Sequence, residues 1–412
     1  MMIFELFSCY FSKLLPLRKK VCYNVKKRGN RYVSHKSFAF KICQTSRTAC
    51  IMCYFDICEL LPRKTVDLSD CFTNEYYKNK TVLITGGGGS IGSELAIQVA
   101  LMKPRALILL DIYENGVYEV QQELLAYYGA KFLPEIEIAS VCDRCALERI
   151  FDKHRPDVVF HAAAHKHVPL MEKNVCEAVK NNIFGTLNVV ELSERYSVAK
   201  FIMISTDKAV NPTSVMGATK RFCEMIVRAH SAEDRATVFS STRFGNVLGS
   251  AGSVVPLFIK QIKKGGPVTV TDKRITRYFM TVSEAIELVL RSGAMAENGE
   301  LFVLDMGEQV RIYDLAEKII ELSGYEPHKD IEIVETGLRP GEKLYEEILV
   351  KPESLLKTNN SKIFVEKDQP YSLSELDNKI KILASALITE DDQVVKEALK
   401  SVVPTYREPI AQ

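Results

Sequence analysis

The chain has 412 residues, 47% hydrophobic and 26% charged, with a formal net charge of +2. That length can bury a sizeable core and hold two or three folding units. The composition is that of an ordinary globular protein, without an internal repeat or low-complexity tract. The near-neutral total hides an asymmetry, because residues 1–55 hold eleven Lys and Arg against one acid, Glu5, and the remainder is acidic. A basic arm of this kind can touch an anionic membrane surface or nucleic acid, and can equally be a solvated tail. Nothing else in the chain selects nucleic acid, so membrane contact through this segment is the one such partner kept.

The first element, MMIFELFSCYFSKLLPLRKK, is apolar but broken by Glu5, Lys13 and Pro16. It lacks a basic leader region and a small-residue cleavage site, and it falls short of the roughly 18–20 uninterrupted apolar residues that span a bilayer. A surface-lying amphipathic helix is one reading of it and disorder the preferred one, which puts the chain in the cytoplasm, at most against the inner face of the membrane. Seven of the eleven cysteines precede residue 72. Cys50-x-x-Cys53 and Cys142-x-x-Cys145 offer thiolates for zinc, but they lie far apart in unlike segments, so no metal site is expected. An odd count without a secretory leader favours free thiols in a reducing compartment. Residues 56–77 read as a linker.

From Lys78 onward short apolar runs alternate with longer amphipathic stretches. KTVLIT (80–85), RALILLD (105–111), PEIEIAS (134–140), DVVFHAA (157–163) and AKFIMIS (199–205) each read as a strand covered on both faces. Helical periodicity fills the gaps, in GSELAIQVALM, ENGVYEVQQELLAYY, CEAVKNNIFGTLNVVELSERY and PTSVMGATKRFCEMIVRAH. The alternation implies an α/β fold with a doubly wound parallel sheet over residues 78–245. Beyond it the elements shorten around Pro256, Pro267 and Gly265-Gly266, which suggests a smaller substrate-binding region over 246–350. Residues 351–412 are expected to form an extension packing on that region.

TGGGGSIGS (85–93) lies between the first strand and the first helix. Gly86, Gly89 and Gly92, with Ser90 and Ile91 between them, let the backbone turn tightly and bring a pyrophosphate to the helix N-terminus. Asp111, ending the second strand, suits the free hydroxyls of an adenosine ribose and repels a 2′-phosphate, which favours NAD over NADP. Asp143, after the third strand, is placed to meet adenine, or is a surface carboxylate.

STDKAVNPTSVMGATKR (205–221) emerges from the carboxyl end of the fifth strand, where open α/β sheets place ligands. Asn211 reads as a helix cap with Pro212 in the first turn. Met216 and Lys220 then share one helix face. A tyrosine that could move a proton is missing from the place Met216 holds.

From about residue 58 to 350 the chain resembles the nucleotide-sugar 4,6-dehydratases of the extended short-chain dehydrogenase group. It is most similar to the CapD-like UDP-N-acetylglucosamine 4,6-dehydratases of capsule and polysaccharide biosynthesis. The stretches that carry the resemblance are TGGGGSIGSEL, FHAAAHKHVPLME, NNIFGT, STDKAVNPTSVMGATKR, RFGNVLGSAGSVVPLF, ITRYFMT and GLRPGEKLYEEIL. The Met-x-x-x-Lys form is itself typical of the larger, membrane-anchored members, whose upstream membrane bundle and further domain this chain does not resemble. The resemblance implies bound NAD, with Ala162 and Ala163 among its contacts, and hydride removal from C4 of the sugar. Loss of water across C5 and C6 and return of the hydride at C6 would follow.

In these terms Lys220 holds the nicotinamide ribose, Lys208 is the base for C5 if desolvation and neighbouring positive charge keep it neutral, and Asp207 is the acid for the departing hydroxyl. Thr206 can hydrogen-bond the C4 oxygen. Without the tyrosine, an ionised Asp207 is expected to take the C4 hydroxyl proton and pass it to the C6 oxygen. Lys166 or His167 is expected to touch substrate, although hydrogen bonding alone would also explain them. Asn182 resembles the family's helix asparagine near the active site, or is a core polar residue. Asn246, Arg339 and Lys343, and more weakly Arg277, are expected to meet a UDP-N-acetylhexosamine, the guanidinium suiting phosphate. Two long helices, 172–195 and 212–229, suggest a homodimer contact by analogy. A 4-epimerase and a catalytically inactive NAD-binding module remain the rival readings.

Overall fold

The computed structural model describes residue 60 and residues 71–408, apart from 130–131, 232–235, 348–354 and 367–370. The basic arm and the Cys50-x-x-Cys53 pair lie outside the described residues. In chain order the first half runs α1 Cys71–Tyr77, β1 Thr81–Thr85, α2 Ser90–Leu101, β2 Ala106–Asp111, α3 Glu114–Tyr128, β3 Glu135–Ile138, α4 Arg144–His154 and β4 Val158–His161. The short helices α5 Val168–Met171 and α6 Val175–Ala178 lead through a π-turn, Val179–Phe184, into α7 Gly185–Arg195. β5 Lys200–Thr206, a 3₁₀ turn Asp207–Ala209, α8 Val215–Ala229, β6 Val238–Phe244 and β7 Asn246–Val247 follow. The second half continues with α9 Val254–Ile262, β8 Val268–Val270, β9 Thr276–Met280, α10 Val282–Met295, β10 Leu301–Leu304, β11 Gln309–Arg311 and α11 Ile312–Leu322. It ends with β12 Ile333–Glu335, β13 Leu355–Lys357, β14 Ile363–Glu366, α12 Leu373–Leu387 and α13 Asp392–Val402.

Among the described residues the main sheet has nine strands in the order β13-β14-β10-β6-β5-β4-β1-β2-β3. The run from β10 to β3 is parallel, and β14 and β13 add antiparallel pairs at the far edge. All five strands expected from the sequence are present. β1 and β4 are buried throughout, as their unalternating apolar runs require. β3 differs, because it is the edge strand and its ends are exposed.

The domain boundaries differ from the expected ones in three places. α1 lies inside the supposed linker, yet Tyr77 is fully buried and donates its hydroxyl to Leu290 O at 2.7 Å, so the ordered core begins before Lys78. α10 and β10 fall within 246–350 but belong to the main sheet layer, β10 pairing with β6. The C-terminal extension packs on the half formed by residues 78–245 instead of on the 246–350 region. β13 and β14 complete the sheet, and α12 and α13 cover α8. The smaller region is left with β7, α9, β8, β9, β11, α11 and β12, around Leu248, Phe258, Phe279 and Ile320.

Two helix expectations are corrected as well. The span 172–195 is not one regular helix, since the π-turn inserts into it. α8 starts at Val215, with the Ser214 hydroxyl accepting from Gly217 N at 3.2 Å as its cap. Asn211 sits in a left-handed turn at φ 40° and precedes the helix without capping it. Every residue of α8 except Arg228 is buried, which leaves this helix no free face for the expected dimer contact.

Candidate active site

The glycine loop is shaped by close backbone approach. A Cβ on Gly92 would stand 2.0 Å from Gly86 O, so only glycine lets α2 begin this close to the end of β1. A Cβ on Gly86, at φ 71°, would meet Ala163 N at 2.7 Å and Ala162 C at 2.8 Å, which sets Ala162 and Ala163 against the loop. Gly89 is the N-cap of α2 and offers no side chain, so the first amides of that helix stay open to a phosphate. Ser90 Oγ accepts from Ala251 N at 3.0 Å and joins this loop to the segment after β7, while Ile91 packs partly buried behind it. Asp111 holds the loop in place, its carboxylate accepting from Gly88 N and Tyr113 N, each at 2.9 Å. Asp143 is the N-cap of α4, its Oδ1 accepting from Ala146 N at 2.9 Å.

At the carboxyl end of β5 the chain turns through Asp207–Ala209, and α8 closes on it. A Cβ on Gly217 would lie 2.3 Å from Lys208 O, so a larger residue between Met216 and Lys220 would push the turn away. Thr206 donates its hydroxyl to Asp207 Oδ1 at 2.8 Å. Asp207 is buried, its Oδ2 receives no donor from a described residue, and its carboxyl stands in hydrogen-bond contact with that of Glu346 when one of the two is protonated. Burial first, and the negative charge of Glu346 next, push the Asp207 carboxyl up to about 7, against the pull of Lys208 and Thr206.

Lys208 contradicts the expectation of a neutral amine. Its ammonium donates to Asp207 Oδ1 at 3.1 Å and Asn246 Oδ1 at 3.1 Å, and it meets Glu346 Oε1 at 2.8 Å. Burial pulls its pKa down, but the two carboxylates outweigh burial and the net direction is upward. The resting group is therefore a cation with all three donors in use.

A cavity of about 270 Å³ opens beside this turn. Its wall contains Lys166, His167, Lys208, Asn246, Arg277, Arg339, Lys343 and Glu346. Burial, then the neighbouring Lys208 charge, holds the Lys166 amine below its usual range, and its Nζ donates to Ala251 O at 2.9 Å. Burial, then Lys166, lowers His167 in the same way. Lys343 donates to Val210 O at 2.9 Å, and Arg339 lies exposed at the rim. The lining thus holds five cationic side chains, Lys166, Lys208, Arg277, Arg339 and Lys343, against the two carboxylates Glu342 and Glu346.

Three expected site residues turn out to hold the scaffold. Asn182, wholly buried, accepts from His165 N at 2.8 Å and donates to His165 O at 3.1 Å and Thr219 Oγ1 at 3.0 Å. It ties the loop after β4 to α8 and has no surface left for substrate. Arg277 donates to Thr276 O, Leu344 O and Lys343 O at 2.8–3.1 Å and pairs through Nε with Glu346 at 3.2 Å. It clamps the 339–346 loop, which explains why it lines the cavity without being free. Met216 is 3% exposed and packs in the core under α8, where a thioether takes no part in proton transfer. Lys220, on the same helix, is buried, and its ammonium has no hydrogen-bond partner among the described residues.

With this geometry in place, the comparison with known proteins is specific. The polysaccharide biosynthesis protein family matches residues 82–368. The chain belongs to this family. It is 50% identical over 321 residues to the capsular polysaccharide biosynthesis protein CapD of Staphylococcus aureus, covering 77% of this chain and 53% of the relative. It therefore spans about half the length of that relative. It is 34% identical over 325 residues to a UDP-N-acetylglucosamine 4,6-dehydratase (inverting) of Campylobacter jejuni, covering 74% of this chain and 90% of that one. Among solved structures it is similar to Pen from Bacillus thuringiensis, with a TM-score of 0.66 and 33% identity over 74% of this chain and 99% of Pen. No helix among the described residues is long and apolar enough to cross a membrane, and no group of three His, Cys, Asp or Glu side chains there could hold a metal ion.

For this family member, sequence reasoning missed Glu346 and a buried ion cluster behind β5. Glu346 is 5% exposed and receives Lys208, Arg277 and, at 3.0 Å, Asn246 Nδ2. In the cluster, Ser205 Oγ donates to Glu224 Oε1 at 2.6 Å, and Arg243 donates to Glu224 at 2.8 and 3.1 Å and to Glu366 at 2.5 Å. The cluster anchors the residue just before Thr206. The signal for Glu346 was the GEKLYEE run itself, in which Arg339 and Lys343 drew attention as phosphate ligands and the acids did not.

Proposed function

We propose that this chain is an NAD-dependent nucleotide-sugar 4,6-dehydratase that converts UDP-N-acetylglucosamine to a UDP-4-keto-6-deoxy-N-acetylhexosamine for surface polysaccharide or glycan synthesis. The observation that carries the reading is the Asp207–Lys208 pair beneath a cationic cavity, with a thioether at the position where a tyrosine would otherwise move the C4 proton. The fit to NAD rests on the open helix N-terminus after the glycine loop and on the buried, unpartnered ammonium of Lys220, which burial holds below the usual lysine range. Lys220 would hold the nicotinamide ribose, Gly86, Gly89 and Gly92 the pyrophosphate, and Asp111 an adenosine ribose. When bound, NAD supplies an acceptor for hydride from C4 and returns it at C6, so no outside oxidant is consumed.

The chain's own groups handle the protons. Asp207, held near neutrality, is ionised often enough to take the C4 hydroxyl proton and protonated often enough to give it to the C6 oxygen. Thr206 orients that carboxylate through its 2.8 Å hydrogen bond. Lys208 serves C5. Lys166, His167, Arg339 and Lys343 supply positive charge for the diphosphate.

The test is incubation of the purified full chain, loaded with NAD, with UDP-N-acetylglucosamine and mass analysis of the sugar. Loss of one water supports the dehydratase. A new sugar of unchanged mass would mean an epimerase, and an untouched sugar with NAD bound would mean a binding module.

A further inference from the structure

An open parallel sheet holds its ligand where the strand order reverses. Here that point lies between β1 and β4, which pair with each other while β2 and β5 lie on opposite sides of them. The chain leaving β1 carries Ser90 at the head of α2, and the chain leaving β4 carries Lys166 and His167. A third segment crosses between them. Leu248 N donates to Met280 O at 2.9 Å, and beyond it Ser250–Ser253 form a turn closed by Ser253 N donating to Ser250 O at 3.0 Å. Gly252 takes the third place of that turn at φ 70°, as a type II turn requires, and Gly249, at φ 74°, stands just before it.

The tip of the turn, Ala251 and Gly252, is exposed, yet it touches both neighbouring loops. Ala251 N donates to Ser90 Oγ at 3.0 Å, and Ala251 O accepts from Lys166 Nζ at 2.9 Å. A Cβ on Gly252 would stand 2.6 Å from His167 Cε1, so the tip is seated directly against that ring. One residue thus ties the head of α2, whose open amides suit a pyrophosphate, to the loop after β4. Gly252 and Ser253 also line the 270 Å³ cavity, so the same turn borders the sugar site.

We propose that the Ser250–Ser253 turn is a latch over the crevice between β1 and β4, and that it must lift before a dinucleotide enters or leaves. Its pivots are Gly249 and Gly252, whose backbones rotate with little steric hindrance. Its catch is the pair of hydrogen bonds on Ala251. Both bonds can be exchanged for bonds to water, so opening is a local, reversible event. The catch is made from the chain's own atoms and needs no ligand to form. It therefore hinders entry and exit alike, slowing exchange of the nucleotide without adding to its affinity. The proposal rests on the NAD site alone and not on the dehydratase reading.

The experiment follows release and binding of radiolabelled NAD by the purified full chain, with no sugar present. Proline is favoured at the second place of a type II turn and has no N–H, so Ala251→Pro keeps the turn and deletes only the bond to Ser90. The expected result is release about 3–10-fold faster, entry faster by a similar factor, and a Kd within about two-fold of wild type. Lys166→Met removes the other catch bond from an exposed side chain and should speed release by a similar factor, which keeps the proposal testable if Ala251→Pro does not fold. An unmoved release rate in a folded variant overturns the latch. Faster release from Ala251→Pro with an unmoved entry rate also overturns it, because that pattern marks a lost affinity contact and not a gate. Rates that respond as expected support the latch even in a chain that leaves UDP-N-acetylglucosamine unaltered, so a failure of the dehydratase reading is seen separately.

Discussion

Replacing Asp207 by Asn gives a stability effect and an activity effect of opposite sign. The Asp207 carboxyl is raised from 3.8 to about 7, mainly by burial and then by the Glu346 charge. Because the folded value lies above the unfolded one, the native chain holds this proton more tightly between those two pH values. The stability this confers is complete below about 3.8 and is lost as pH rises through about 7. Each tenfold change in proton affinity corresponds to about 1.4 kcal/mol, so keeping the carboxylate ionised in its buried place costs about 4 kcal/mol. Asparagine has the shape of the neutral acid and carries no such cost. Glu346 is lowered, Lys208 and then its contact with Asp207 outweighing burial, so the two carboxyls titrate together and the pH dependence belongs to the pair. Urea unfolding of the two proteins without substrate should therefore show Asp207→Asn more stable by under ~2 kcal/mol at about pH 5 and by ~4 kcal/mol at about pH 8. Its turnover of UDP-N-acetylglucosamine should fall by about 10²–10⁴-fold, since one group carries both proton transfers. A stability difference that does not grow with pH would refute the electrostatic account of Asp207, and near-normal turnover would refute its role in the chemistry.

Two further outcomes follow from contacts described above. Gly92→Ala places a Cβ 2.0 Å from Gly86 O, so the purified variant should carry little or no NAD, measured by release of nucleotide on denaturation. Arg243→Met leaves the Glu224 and Glu366 carboxylates buried without their shared guanidinium and should cost about 3–5 kcal/mol, read from urea unfolding.

The parallel sheet was legible because its strands are buried on both faces and so are written as short unbroken apolar runs. The loop at 85–93 and the pair at 207–208 were legible for a related reason. Both sit at strand ends, where local sequence alone fixes what faces a ligand. The π-turn was not legible, since one extra residue per turn leaves the apolar periodicity of VKNNIFGT almost unchanged. The start of α8 was misjudged because Asn211 and Ser214 are both good caps in isolation, and only the left-handed turn at Asn211 separates them. The mistaken state of Lys208 has a longer-range cause. Its charge is decided by Glu346, which arrives from an irregular loop far along the chain, clamped by Arg277, and no local pattern announces that meeting.

The antiparallel strand β14 reaches further than its place at the sheet margin suggests. Through Glu366 it grips Arg243, and through Arg243 and Glu224 it grips Ser205, one residue short of Thr206. A shortened version cut between the substrate loop and residue 366 would keep every group proposed to touch sugar or nucleotide, yet lose the brace that keeps the end of β5 in register. Attempts to trim this chain to a minimal size should accordingly spare its tail before its surface loops.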